Sequence, residues 1–486
     1  MPAVTLIGFA PDRSPTEPGV MTNCVNFIPT EGGFAAAPSA IAVPGLAALA
    51  APCRGGLVAT KIDGTRRPFA GTQTRLYEIV SGAWTDVSRG LAYTGSTENR
   101  WVFAQFGNTT IATNDTQVIQ ASTGTGAFAD VATAPVAKIV FSVGDFVMAL
   151  NTNEAGFGDQ GDRWWCSGIF DHTTWAPSIT TQANSGRLVS GGGDFTAGLA
   201  LGDTAVAYKA RSMWRGTYVG GAAVWQWDQI EGEQGAVGPE AVCDANGQHL
   251  FVGDDNLWVF DGVRATPIGD EDIRQWFFSN SSPAFRYRTI VQYERQNNRA
   301  WFFFPSTGST DGALDRTLVF HMKRRRWGRA DITVQAAFGF VQPGVTFDTL
   351  NTVAATFDTL PASFDSQFWL SGGRSLAIVN NTNTLATLTG TPGNSSFTTG
   401  DIGDDWTSSR LSAVRLQFTI APATATASGQ TLANTGGAMV AGGSASLYDG
   451  AFHLRQSGRW HRLTFSFSGS VECLKLDHDL VADGAR

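Results

Sequence analysis

A chain of 486 residues, 43% hydrophobic and 11% aromatic, is long enough to bury one large core or two to three ordinary ones. Its 34 basic side chains against 42 acidic ones leave a formal charge of −8, which argues against a general nucleic-acid binder, because such proteins carry a basic excess that displaces counterions from phosphate. Five scattered cysteines without a CxxC pair, and the lack of any run of about 18 apolar residues, argue against a disulfide framework, a zinc site and a helical membrane span. The N-terminus, MPAVTLIGFAPDRSPTEPG, lacks a basic segment followed by a long apolar core, so no secretion signal or membrane insertion is expected.

Residues 1–55 are rich in Pro, Gly and Ala without sustained periodicity, which predicts an extended arm able to complete a sheet or wrap a neighbour. From 56 to 395 the chain reads as short strands rich in β-branched and aromatic residues, bounded by Gly, Asp and Asn that suit hairpin turns. The clearest case is GQHLFVGDDNLWVFDGVRATPIG, a three-stranded meander from Gly247 to Gly269. The same layout starts at Phe69 (FAGTQTRLYEIVSGAWTDV) and at Thr110 (TIATNDTQVIQASTGTGAFADV). Weaker copies start at Phe146 (FVMALNTN, RWWCSGIF, TTWAPS), Thr204 (TAVAYKA, RSMWRGTYV, AVWQWDQI) and Thr289 (TIVQYERQ, RAWFFFP, RTLVFHMK, RRWGRADI). A repeat of roughly 40 residues built from four short strands is the signature of a β-propeller blade. A seventh unit is assembled from Ala336–Val341 and Phe368–Val379, with an insertion at about 343–367 that carries TFDTL at Thr346 and Thr356 and SFDS at Ser363. The expectation is an all-β chain with a propeller of six or seven blades.

One helix is expected within GDEDIRQWFFSNSS, capped by Asp270, with Ile273, Trp276 and Phe277 on one face. After the Gly-, Ser- and Thr-rich stretch from Leu388 to Asp401 the pattern changes to longer alternating strands: RLSAVRLQFTI, AMVAGGSASLYD, AFHLRQ and RWHRLTFSFSG. A second β-domain, a small sandwich or barrel, is placed at 396–486.

Candidate chemistry is sparse. The acid pairs Asp254/Asp255 and Asp404/Asp405 fit general acid–base work or a cation, but both sit in turns, where Asp side chains bond the backbone. No series of Ser-x-Asp-x-Gly-x-x-Trp turns of the sialidase kind is present. His453 and His461 meet across a hairpin in the simplest reading, as packed rather than metal-bound rings. There is no GxSxG, P-loop or dinucleotide fingerprint, and no cofactor or catalytic residue is assigned. The one basic run, Lys323, Arg324, Arg325 and Arg326 with Arg329 beyond it, is the candidate subunit interface or weak phosphate contact; a solvated turn or an ion pair with an acidic chain is the plainer role. The fifteen tryptophans are assigned to packing between blades.

Three stretches carry a family resemblance: PGVMTNCVNFIPTEGGFAAAPSA (Pro18 to Ala40), VWQWDQIEGEQGAVGPEAVCDANGQHLFVGDDNLWVFDG (Val224 to Gly262), and DGAFHLRQSGRWHRLTF beginning at Asp449. Together with the tandem FDTL insertion, and in this order from end to end, the chain resembles the tail nozzle, or tail hub, proteins of short-tailed bacteriophages, which stabilise packaged DNA. The FDTL repeats depart from the pattern, with Phe where similar tail sequences often show Trp.

The resemblance implies a non-enzymatic virion component: a homo-oligomeric ring, six copies in that family, below the head-to-tail adaptor and in contact with tail fibres or spikes. Double-stranded DNA would leave through the lumen without sequence-specific binding. Lysine and arginine along such a passage would trap phosphates, so most basic side chains, the run at Lys323 included, are expected to face other subunits or solvent. Two rival readings of the same residues are a carbohydrate-binding, receptor-recognising propeller of a tail and a propeller glycoside hydrolase.

Overall fold

The computed structural model describes residues 4–341, 350, 354, 356–360, 374–434 and 437–485. Seven antiparallel leaflets follow one another along the chain: blade 1 over 56–86, blade 2 over 102–130, blade 3 over 136–187, blade 4 over 195–230, blade 5 over 242–267, blade 6 over 290–330 and blade 7 over 336–390. Six are free-standing four-stranded sheets; blade 6 is the first four strands of a ten-stranded sheet. Their first strands lie side by side around an axis, and that of blade 7, Ala336–Val341, returns to that of blade 1, Gly56–Thr60. The arrangement is a closed β-propeller.

The blades stack because their middle strands are apolar on both faces. Phe146–Glu154, Thr204–Lys209 and Arg299–Phe304 are buried along most of their length rather than alternating. Each interface between neighbouring blades holds its own apolar cluster. Phe141, Met148 and Leu150 of blade 3 meet Ala207, Trp214 and Trp225 of blade 4, and Ala70 of blade 1 meets Phe338 and Ala377 of blade 7. At that closing seam Gly56 has no side chain for a steric reason: a Cβ there would lie 2.4 Å from the Phe338 ring. A fully buried aromatic of this kind contributes about 1.5–3 kcal/mol.

The period read from sequence holds, but in each of the first five blades the unit begins one strand late. Phe69, Thr110, Phe146, Thr204 and His249 lie on second strands, and the innermost strands, such as Gly56–Thr60, Val102–Phe106 and Val136–Val143, precede them. In blade 3, TTWAPS is turn rather than strand; Trp175 is buried there with its indole N–H on the His172 carbonyl (2.9 Å), and the fourth strand is Asn184–Arg187. The insertion expected at about 343–367 lies almost wholly outside the described residues, apart from isolated positions and a 3-10 turn at Phe357–Thr359.

The N-terminal 42 residues supply strands to three sheets. Ser39–Ala42 is the fourth strand of blade 7, paired with Leu385–Gly390. Phe27–Pro29 pairs with the outer strand of blade 6, Arg326–Ala330, and then with Phe34–Ala36. Val20–Val25 pairs with Asn394–Thr399, a strand inside the Gly-, Ser- and Thr-rich stretch.

The C-terminal region is a two-sheet sandwich. One sheet runs Val20–Val25, Asn394–Thr399, Trp460–Ser468, Thr424–Leu432, Val440–Ser446; the other continues blade 6 outward through Phe27–Pro29 and Phe34–Ala36 to Glu472–Ala485, Thr407–Ile420 and Gln456–Gly458. Between them Phe27, Phe34, Phe397, Phe465 and Phe467 form a ladder, with Phe27 and Phe397 centroids 5.2 Å apart at 15°. The same cluster includes Phe302, Phe320 and Trp327 of blade 6, so propeller and sandwich share one core.

The short helix Arg274–Asn280 is capped differently from the sequence reading. Asp270 accepts the amide of Asn256 (2.6 Å) instead, and Asp12, from the arm, accepts the backbone N–H groups of Gln275 (2.5 Å) and Trp276 (2.9 Å). The cap is supplied from 263 residues away because the arm crosses the helix start on its way to the sandwich.

Candidate functional site

The residues two positions before four innermost strands are charged: Arg54 before Gly56, Arg100 before Val102, Glu240 before Val242 and Arg288 before Ile290. Because those strands surround the axis, equivalent positions converge on it. They line two adjoining cavities at one mouth of the central channel, about 620 Å³ and 230 Å³, which share Glu98, Arg100 and Arg288.

The mouth is cross-braced. Arg100 Nε lies 2.5 Å from Glu240 Oε2, an ion pair from blade 2 to blade 5, and Arg100 Nη1 donates to the Gln335 carbonyl at 3.0 Å. The Gln335 side chain accepts the Cys53 N–H (2.7 Å) and donates to Asn383 (2.8 Å), tying blades 1 and 7 into the same network. Arg288 pairs with Glu98 and donates to the Asp311 carbonyl at 2.5 Å, while the Tyr287 hydroxyl donates to Glu98 at 2.5 Å. The Tyr287 bond and the Arg288 charge hold the Glu98 carboxyl below the ordinary carboxylate range. Burial works against the charge of Arg100, but Glu240 outweighs it and strengthens its hold on the proton.

Arg54 differs from these. Burial, and then the Arg100 and Arg288 charges, weaken its hold on the proton, and its Nε is buried without an acceptor, as is Arg100 Nη2. Cys53 beside it is an inert thiol, pushed up to about 11 by burial. Among the described residues no group of three or more His, Cys, Asp or Glu is placed to hold a metal ion.

The sequence-predicted basic residues lie elsewhere: Lys323, Arg324 and Arg325 on the turn joining the third and fourth strands of blade 6, Arg326 and Arg329 on the fourth strand. Lys323 and Arg324 pair with Glu31 of the arm at 3.2 and 2.9 Å, and lower its carboxyl pKa. Arg325 is exposed at the turn with φ +51°. Arg326 sits 6.0 Å from the Phe34 ring centroid with one buried Nη1 lacking an acceptor. Arg329 pairs with Asp331 at 3.2 Å, donates to Asn23 at 3.3 Å and lies over Trp276. Four of the five therefore contact the molecule's own arm, the Asp331 turn or the helix.

The acid pairs are turn residues in the structure. Asp254 pairs with Arg211 at 2.7 Å and Asp255 accepts the Trp258 indole N–H at 3.2 Å. Asp404 accepts the N–H groups of Trp406 and Thr407, and Asp405 the Trp460 indole N–H at 2.7 Å. His453 is exposed, whereas His461 is buried between Ser409 (3.1 Å) and Gln456 (3.0 Å), so the hairpin does not bring the two rings together as a pair. The channel charges escaped sequence reasoning because they fall in connections between units. Their signal is the recurrence of a charged residue two before an innermost strand, legible only when the blades are aligned on those strands.

No family model and no curated protein matches the chain. Among solved structures, the chain is similar to one in a crystal structure of the mitotic checkpoint complex (8% identity, 72% of this chain and 94% of that one, TM-score 0.39). It is also similar to apo AztD from Citrobacter koseri (10%, 57% and 73%, TM-score 0.33) and to human WBSCR16 (8%, 60% and 85%, TM-score 0.35). Likeness at this level carries no functional argument.

Proposed function

We propose that the protein is a structural subunit of a bacteriophage tail, acting without catalysis: copies form a homo-oligomeric ring, six by analogy with the family it resembles. That ring is a nozzle below the head-to-tail adaptor, in contact with fibres or spikes. It is assembled in the host cytoplasm and resides in the virion, retains packaged DNA and gives it a path of exit. The observation that carries the reading is the continuity of propeller and sandwich. A ten-stranded sheet runs unbroken from Ile290–Glu294 in blade 6 to the C-terminal strands, and the arm is threaded through both halves. Such a body resists bending between its halves, as the wall of a pressurised conduit must.

In this reading the duplex passes between copies and not along a propeller's own axis, which the Arg100–Glu240 pair spans. Purified virions tested by mass spectrometry for this chain, followed by imaging of the tail, check the proposal: a closed ring surrounding a DNA-sized passage is expected. Absence from virions overturns it, and a trimer that binds a defined glycan would transfer the assignment to a receptor-binding propeller.

A further inference from the structure

We propose that the channel mouth binds a small oxyanion, the carboxylate or phosphate group of a low-molecular-weight ligand, held between Arg54 and Arg100. Three guanidinium groups reach this mouth from blades 1, 2 and 6, and two of them are committed: Arg288 to Glu98 and the Asp311 carbonyl, Arg100 through Nε and Nη1 to Glu240 and Gln335. Arg54 has no hydrogen-bond or ion-pair partner for its side chain among the described residues, and the larger cavity lies against it. Two guanidinium nitrogens, Arg54 Nε and Arg100 Nη2, are both removed from water and without an acceptor. Buried donors in native structures are overwhelmingly paired, and Arg54, which lines the larger cavity without a partner, is the guanidinium there with bonding capacity to spare.

The chemistry of that partner follows from the donors. A guanidinium offers planar forked N–H groups that match two oxygens of a carboxylate or a phosphate. The size follows from the walls. Glu98 and Glu240 flank the arginines and the exposed Asp311 stands at the rim, its carboxylate accepting the Ala313 N–H. A cavity of about 620 Å³ cannot admit a duplex, which leaves a small anion as the occupant. An anion here would bridge blades 1 and 2 and give the Arg54 side chain the partner that the Arg100–Glu240 and Arg288–Glu98 pairs do not supply. The site is independent of the proposed tail role, because it belongs to a single copy.

The test uses the full chain, titrated calorimetrically with inorganic phosphate and separately with citrate, against sodium chloride at matched ionic strength. Saturable binding of at least one of the two is expected, weakened roughly tenfold or more in Arg54→Gln, which keeps a polar side chain but loses the charged fork. Phosphate alone assigns a phosphate ligand, citrate alone a carboxylate. Arg211→Gln, at the exposed pair with Asp254, is expected to bind as the parent does. If Arg54→Gln fails to fold, Arg54→Lys, which keeps the charge but not the fork, takes its place with an intermediate loss expected. No saturable binding of either anion, or unchanged binding in the Arg54 variants, overturns the proposal.

Discussion

The Tyr208 hydroxyl lies 2.7 Å from His249 Nδ1, buried at the seam between blades 4 and 5. His249 Nε2 faces the Ala200 carbonyl at 3.1 Å, and a carbonyl only accepts, so Nε2 carries the proton and Nδ1 accepts from Tyr208. Burial lowers the pKa of this imidazole from 6.5, as it does those of His172, His321, His461 and His478. A histidine with a depressed folded pKa stabilises fully above its unfolded value and loses that contribution as the pH falls through the folded one. The urea midpoint is therefore expected to fall as the pH drops from about 7 to about 5.5, and His249→Gln to flatten part of the decline. A midpoint that holds steady across this range would refute the assignment.

Arg67 and Glu78 form a two-point ion pair inside blade 1, at 2.7 and 2.8 Å, and Arg67 also donates to Ser122 (2.9 Å) and the Gly126 carbonyl (3.1 Å) of blade 2. Removing one partner leaves a buried charge alone, so Arg67→Ala is expected to cost about 3–5 kcal/mol. Replacing both, as Arg67→Met with Glu78→Leu, should recover most of that loss. Thermal melts of the three chains decide it; equal losses in single and double variants would mean that the pair is not the source.

Asp12 is the only cap of the Arg274 helix among the described residues, and it also ties the arm to that helix and to the Asp272 carbonyl before it. Asp12→Ala should lose about 0.5–2 kcal/mol, whereas Asp12→Asn, which keeps one of the two acceptor oxygens, should lose less. Faster amide exchange at Gln275 and Trp276 in the alanine variant alone is the expected signature.

Gly328 lies where the arm touches blade 6. A Cβ there would fall 2.6 Å from the Phe27 carbonyl oxygen, 2.7 Å from Pro29 Cδ and 2.8 Å from Ile28 Cα. Gly328→Val is expected to lift the arm from the outer strand of blade 6, at about 4 kcal/mol or more, with new proteolytic cuts in the first 42 residues. A variant as resistant as the parent would place the arm elsewhere.

All five cysteines are buried. Burial pushes the thiols of Cys24 and Cys166 up to about 12 and that of Cys53 to about 11, and raises those of Cys243 and Cys473 as well. A thiol-reactive disulfide reagent is expected to leave the native chain unmodified at neutral pH and to titrate all five after unfolding. Rapid modification of the native chain would contradict this burial.

Short strands, turn residues and the repeat near 40 were legible in the sequence because they are local: alternation, β-branching and a Gly, Asn or Asp at a tight turn act within a few residues. The all-β class, the propeller and the number of its leaflets to within one follow from these. So do the turn roles of Asp255 and Asp404, whose partners lie within three residues.

Pairings across hundreds of residues were decided only by the closed ring. Blade 7 has three strands of its own, and the edge that would be left open selects Ser39–Ala42. The arm that must reach this edge passes the helix and brings Asp12, not Asp270, to its first turn. Arg54, Arg100, Glu240 and Arg288 look like unrelated loop charges along the chain. They become neighbours because burying both faces of every blade leaves the innermost strands one arrangement, side by side around a single axis.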